Sequence, residues 1–209
     1  MTRQPEAGPY SSACRHSDSL PVRQSGEPAV LFSHLGRGST ALVLTAHPDD
    51  EVFAHGAAIA MLSRQGSRVV LRTASGGKAA ENDVTSSAEA RRRRSARLDA
   101  ACTRLGVNEW NWLAEGRRTD TAGRPTPGSL TTASVSDLTE VIADQIQTII
   151  PDVVLTVGPD GLTGLPDHIL IHRAVAGAAA SCDDPVFGSY LLPADITQGR
   201  DLLATIPSW

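Results

Sequence analysis

Five consecutive residues, His47-Pro48-Asp49-Asp50-Glu51, place one imidazole and three carboxylates side by side. A second group, Pro166-Asp167-His168, sets another imidazole beside another carboxylate. Neighbouring carboxylates repel one another once desolvated, so a cation is their natural counter-charge. Zinc favours imidazole and carboxylate ligands, and a catalytic zinc keeps a position open for water. His47 and Asp50 are three residues apart and can point to one ion, with His168 supplying a third ligand from the second group. A His, Asp, His set leaves room for water, as hydrolysis requires. Asp49 then lies next to the ion without binding it, where it can take a proton from the activated water. A plainer reading is that His47 and Asp50 only cap a helix. Capping needs one Asp, not a run of His-Pro-Asp-Asp-Glu.

These groups act together only if the chain brings them to one place. Residues 41–46 (ALVLTA) form a short apolar run, the pattern of a strand buried on both faces, and the run ends directly at His47. A helix is expected over 52–65, stopped by Gly66, then a strand over 68–74. A long helix over 87–105, stopped by Gly106, and a short strand over 109–113 follow. Residues 114–133 read as a Gly/Pro/Thr-rich loop, of the length that is usually functional or disordered. A helix over 135–150, ended by Pro151, leads to a buried strand over 153–157 (VVLTV). The loop 158–166 then opens a helix over 167–181, and 186–192 suggests a last strand. Strands alternating with helices predict an α/β fold with a mostly parallel sheet and helices on both faces. Ligands of such sheets bind beyond the carboxyl ends of the strands, where both groups fall.

Composition narrows the rest. The 209 residues suit one well-buried domain. A hydrophobic content of 41% and a net charge of −4 give an ordinary globular profile with no basic field for nucleic acid or anionic membranes. No apolar run approaches the roughly 20 residues of a membrane span, and the N-terminus lacks a signal-like apolar stretch. Cys14, Cys102 and Cys182 form no CxxC pair, so they read as ordinary small side chains. A cytoplasmic location is expected. Residues 1–38 are polar and without periodicity and read as a flexible extension, with the domain over 39–209.

The chain resembles the PIG-L/LmbE-like zinc-dependent N-deacetylases. Their AHPDDE segment stands here as Ala46-His47-Pro48-Asp49-Asp50-Glu51, and their HPDH segment as Leu165-Pro166-Asp167-His168. Gly158-Pro159-Asp160-Gly161 is similar to the family's glycine-rich approach loop, and the resemblance runs over about 40–192. It implies a Rossmann-like fold and hydrolysis of an N-acyl group, commonly acetyl on a glucosamine-like sugar. It also implies zinc on His47, Asp50 and His168, and Asp49 as general base. Arg94 and Asp167 are the residues expected on the substrate side. A small sugar-like N-acyl molecule is then the expected partner.

Departures from the pattern matter. Leu165 replaces an imidazole that, in the family, assists the substrate carbonyl or the leaving amine. Losing one such group typically costs about 10²–10³ in rate. His172 and His55 are substitutes by residue type, and a surface or packing role is the plainer reading for both. A zinc-holding binding or scaffold protein is the competing function, favoured by Leu165 and opposed by Asp49. Arg94 fits an Arg-x-x-Glu pattern whose acid is here Arg97, and Ser75-Gly76-Gly77-Lys78 stands where the family carries a basic-acidic segment. Arg91 to Arg94 cover all sides of a helix and read mainly as a solvated start. Trp110 and Trp112 share a strand face and read as packing, with sugar stacking as the alternative. The loop from Glu115 to Asp120 is a candidate for specificity contacts. A nucleotide-binding Rossmann protein is excluded by the missing GxGxxG turn. Part of the substrate wall could come from a neighbouring subunit, so a homo-oligomer is considered among the partners.

Overall fold

A computed structural model describes residues 32–76, 87–113, 118–119, 124–180 and 185–204. The elements are β1 (Thr40–Thr45), α1 (Asp50–Phe53), α2 (Gly56–Gln65), β2 (Arg68–Thr73), α3 (Ser87–Leu105) and β3 (Glu109–Trp112). A 3-10 turn (Leu130–Thr132), α4 (Val135–Ile149), β4 (Val153–Val157), α5 (Pro166–Ala179), β5 (Val186–Ser189) and α6 (Pro193–Ala204) follow. The strands form one parallel sheet in the order β3-β2-β1-β4-β5, with β1 at its centre. This is the expected α/β architecture.

The alternation within β1 explains why helices cover both faces. Leu42, Leu44 and Ala46 point to one side, where they pack with Leu138, Ile142 and Ile146 of α4 and Ile171 and Val175 of α5. Ala41 and Val43 point to the other, against Ile59 and Leu62 of α2 and Leu98 and Cys102 of α3. The three α4 residues recur every fourth position, so one stripe of that helix faces the sheet. Ser134 caps α4 by accepting from the Asp137 N–H (3.4 Å), and Ile150 ends it in a left-handed turn before Pro151.

Four details depart from the expected layout. The single helix over 52–65 is two, α1 and α2, because His55 leaves the helical region (φ −130°, ψ −2°). The Ala54 carbonyl freed by the break accepts from Ser189 Oγ (2.8 Å), whose oxygen also meets His55 Nδ1 (3.0 Å). Packing also starts before residue 39: Phe32 and Leu35 are buried, and Phe32 stacks edge-on against Phe187 with ring centroids 5.3 Å apart. Two apolar residues suffice to seat residues 32–38 on the core despite the polar setting that suggested an extension; residues 1–31 lie outside the described residues. The last strand stops at Ser189, and Tyr190 to Leu192 are exposed. Helix α6 was not expected, since its residues show no clear apolar stripe; Asp195 accepts from the Leu192 N–H (3.0 Å) at its start.

Among the described residues, no helix is long and apolar enough to cross a membrane. Cys102 is a buried thiol pushed up to about 12, by burial first and nearby acids second, so it packs as an inert apolar group. Cys14 and Cys182 lie outside the described residues.

Candidate active site

Strand order places the two sequence groups together. β1 connects onward to β2 on one side and pairs with β4 on the other, so the sheet reverses its winding between β1 and β4. A crevice opens at the carboxyl ends of the strands at such a point. β1 ends into His47 to Glu51, and β4 ends into the loop that delivers Asp167 and His168 at the start of α5. The two groups are separated by 121 residues in sequence but meet directly: His47 Nδ1 is 3.1 Å from His168 Nε2.

Each side chain is fixed from behind. Asp167 carboxylate Oδ2 can only accept, so His47 Nε2 carries the proton of their 2.7 Å hydrogen bond. The Gly161 carbonyl likewise accepts from His168 Nδ1 (3.0 Å), with Thr163 Oγ1 at 3.2 Å. Asp50 Oδ2 accepts from the backbone N–H groups of Ala46 (3.0 Å) and His47 (2.8 Å), while Oδ1 faces His168 Nε2 at 3.4 Å. Gly161 has φ +67°, and a Cβ there would come within 2.9 Å of His168 Cβ and the Ile169 nitrogen, so only glycine fits behind this histidine.

The consequence is electronic. With Nε2 of His47 and Nδ1 of His168 both committed as donors, the nitrogens facing each other are both bare lone pairs. Two lone pairs and a carboxylate oxygen, all buried and within 4.8 Å of one another, form a donor set suited to a divalent cation. Bonds of about 2.0–2.1 Å at a tetrahedral angle put two ligand nitrogens about 3.3 Å apart, close to the spacing found. His47, Asp50 and His168 therefore fit a metal ion.

Asp49 differs from its neighbours. Its side chain is 70% exposed although the next residue, Asp50, is buried, and its backbone adopts φ 116°, a region that costs a non-glycine residue about 1–3 kcal/mol. Glu51, which is 1% exposed, accepts the Asp49 N–H through Oε2 (2.8 Å), and burial outweighs that bond to hold its carboxyl above the usual range. Arg94 donates to the Pro48 carbonyl (2.6 Å) and to Asp49 Oδ2 (3.3 Å). Pro48, Asp49, Glu51, Val52, Arg94, Arg97, Leu98 and Ala101 line a cavity of about 180 Å³ between α1 and α3.

The two residues expected on the substrate side, Asp167 and Arg94, are both buried. Asp167 is 1% exposed and sits behind His47. Burial opposes its charge, but the His47 hydrogen bond and the two nearby imidazoles outweigh it and hold its carboxyl below the usual range. Arg94 is 4% exposed and reaches the Asp49 segment. In the same run, Arg92 and Arg93 pair with Glu89, as suits a solvated helix start. Trp110 and Trp112 pack edge to face (5.5 Å), and Arg91 lies 5.2 Å from the Trp112 ring. Gly77 and Lys78, and Glu115 to Arg117 with Asp120, lie outside the described residues.

The two histidines that could substitute by type for the imidazole missing at Leu165 are held by contacts of their own. His172 Nδ1 bonds the Val157 carbonyl (2.9 Å). His55 is 3% exposed, bonded through Nδ1 to Ser189, and its Nε2 has no hydrogen-bond partner among the described residues. Burial, then the nearby His168, push it down to about 4 from 6.5. Between these values the unfolded chain binds a proton that the folded chain refuses, so stability rises with pH and is lost on acidification from about 6.5 towards 4. Urea unfolding of the metal-free chain at pH 7.5 and pH 5 should show this as a loss of about 2 kcal/mol. A His55→Leu variant should lose correspondingly less, and an equal loss would remove His55 as the cause.

Fold and site together define a Rossmann-like α/β protein with a candidate hydrolytic metal site at its switch point. The crystal structure of a deacetylase–bog complex in the biosynthesis pathway of teicoplanin shares the architecture, with a TM-score of 0.57 and 26% identity, covering 74% of this chain and 68% of that one. The PIG-L family, GlcNAc-PI de-N-acetylase, matches residues 42–179, and the chain belongs to that family. The 1D-myo-inositol 2-acetamido-2-deoxy-alpha-D-glucopyranoside deacetylase of Streptomyces griseus subsp. griseus is 35% identical over 166 residues, which is 71% of this chain and 50% of the relative. The protein of the same name from Thermobifida fusca is 32% identical over 177 residues, 78% of this chain and 60% of the relative. This chain thus spans about half the length of the curated relatives it matches.

Proposed function

We propose that the chain is a zinc-dependent N-deacetylase acting on an N-acetylated amino sugar, with an N-acetylglucosaminyl unit as the substrate core. The observation that carries this reading is the convergence of His47 Nδ1, Asp50 Oδ1 and His168 Nε2, with an exposed carboxylate on the adjoining residue, Asp49. The relatives named above as deacetylases of an N-acetylglucosaminyl inositol support the substrate class. They lend no support to a binding protein without turnover.

His47, Asp50 and His168 would hold zinc, which when bound lowers the pKa of water and polarises a carbonyl. Asp49 removes a proton from the water that attacks the amide carbonyl carbon, giving a tetrahedral oxyanion. The C–N bond then breaks as Asp49 returns the proton to the departing nitrogen, giving acetic acid and the free amine; the acid's remaining proton passes to the amine or to solvent, leaving acetate. Leu165 offers no hydrogen bond to the oxyanion. Asp167 keeps His47 in the tautomer whose Nδ1 lone pair faces His168 and would be free to bind the metal.

Incubating the zinc-loaded chain with N-acetylglucosaminyl inositol, N-acetylglucosamine and simple N-acetyl amines, and measuring free amine, tests the reading. Release from an N-acetylglucosaminyl compound, absent after chelation, is expected. A chain that holds zinc yet frees amine from none of them would overturn it. Asp167→Asn removes the charge behind His47 and should weaken zinc affinity about 10–100-fold, measured by competition with a chelating dye. Unchanged affinity would show that His47 does not depend on this partner.

A further inference from the structure

We infer that Arg94 and Glu51 form a clamp that positions Asp49, and that Arg94 acts through Asp49 rather than as a substrate contact. The inference rests on the reading of Asp49 as the general base. Its basis is the single peptide unit joining Pro48 to Asp49. The carbonyl of that unit accepts from the Arg94 guanidinium (2.6 Å), and its N–H donates to the Glu51 carboxylate (2.8 Å). Opposite charges therefore hold opposite ends of one rigid plane. Rotation of that plane about the next bond is the φ angle of Asp49, which stands at 116°.

The remaining freedom of Asp49 is restricted from both sides. Its own carbonyl accepts from the N–H groups of Val52 and Phe53, both at 3.0 Å, which ties it to the first turn of α1. Arg94 also reaches the carboxylate at 3.3 Å. Both clamp residues are buried, at 4% and 1% exposure, whereas the Asp49 side chain projects into the open. An exposed carboxylate on a strained backbone would otherwise sample many positions, and a base must stay within hydrogen-bond reach of its proton donor. Among the four consecutive arginines, Arg94 is the buried one, which separates it from its solvated neighbours.

The experiment uses the full zinc-loaded chain with Arg94→Met, Arg94→Lys and Asp49→Asn, alone and combined. Arg94→Met should lower kcat about 10–100-fold, the scale of a misplacement near 1 Å, with KM changed less than about threefold and zinc retained. Arg94→Lys, which keeps charge but not the fork of donors, should fall between. In the Asp49→Asn background, Arg94→Met should add no further loss, since its effect passes through the missing base. A raised KM at unchanged kcat, or an equal loss in the Asp49→Asn background, would overturn the inference and return Arg94 to the substrate. A crystal structure of Arg94→Met reads the clamp without activity: Asp49 should leave positive φ, and an unchanged φ of 116° would overturn the clamp even if no substrate is turned over. Hydrolysis absent from the wild-type chain would instead count against the deacetylase reading.

Discussion

Asp49→Asn should reduce kcat by about 10²–10⁴ while leaving zinc bound in full, because the side chain lies outside the trio that fits the ion. The substitution keeps size and backbone preference, since asparagine tolerates positive φ nearly as well as aspartate. It removes the ability to accept a proton, together with the charge that faces Arg94 at 3.3 Å. The Glu51 hydrogen bond runs to the Asp49 N–H and is untouched by the change. Steady-state kinetics with zinc analysis of the same sample separates the two effects. Full activity in Asp49→Asn would remove this residue from the reaction, and lost zinc would make it a ligand.

Removing a member of the trio should have the largest effect of all. His168→Ala deletes a nitrogen whose orientation is set by the Gly161 carbonyl and leaves His47 Nδ1 and Asp50 Oδ1 alone. Two ligands do not make a closed zinc site. Zinc affinity should fall beyond the 10–100-fold that a lost outer partner costs, and hydrolysis should drop to background. The wild-type chain treated with a chelator should match it and recover when zinc returns, whereas His168→Ala should not recover at micromolar zinc. Recovery of the variant would mean that another residue completes the site.

Much of this arrangement is legible in the sequence because it follows from short-range rules. The apolar run ending at His47 had to be a buried central strand, and its alternation seats helices on both faces. Two histidines after two such strands then had to share one edge of a parallel sheet. What was not legible depends on distant contacts. Asp167 lies beside His168 in sequence, yet its carboxylate also bonds His47, 120 residues away, a contact that sequence adjacency does not reveal. Arg94 belongs to a run of arginines with no internal mark of which one is buried; only the packing of α3 beside the Asp49 turn decides it. The break at His55 is met by Ser189 of β5, and Phe32 is seated against Phe187 of the same strand. In each case a polar or local signal was outweighed by a partner far along the chain.

The account depends above all on a metal gripped by side chains from two loops. An anomalous difference map collected at the zinc edge from crystals of the zinc-loaded chain tests this directly. One strong peak about 2.0–2.2 Å from His47 Nδ1, the Asp50 carboxylate and His168 Nε2 is the predicted result. Zinc bound elsewhere, or no peak among these three groups, would contradict it.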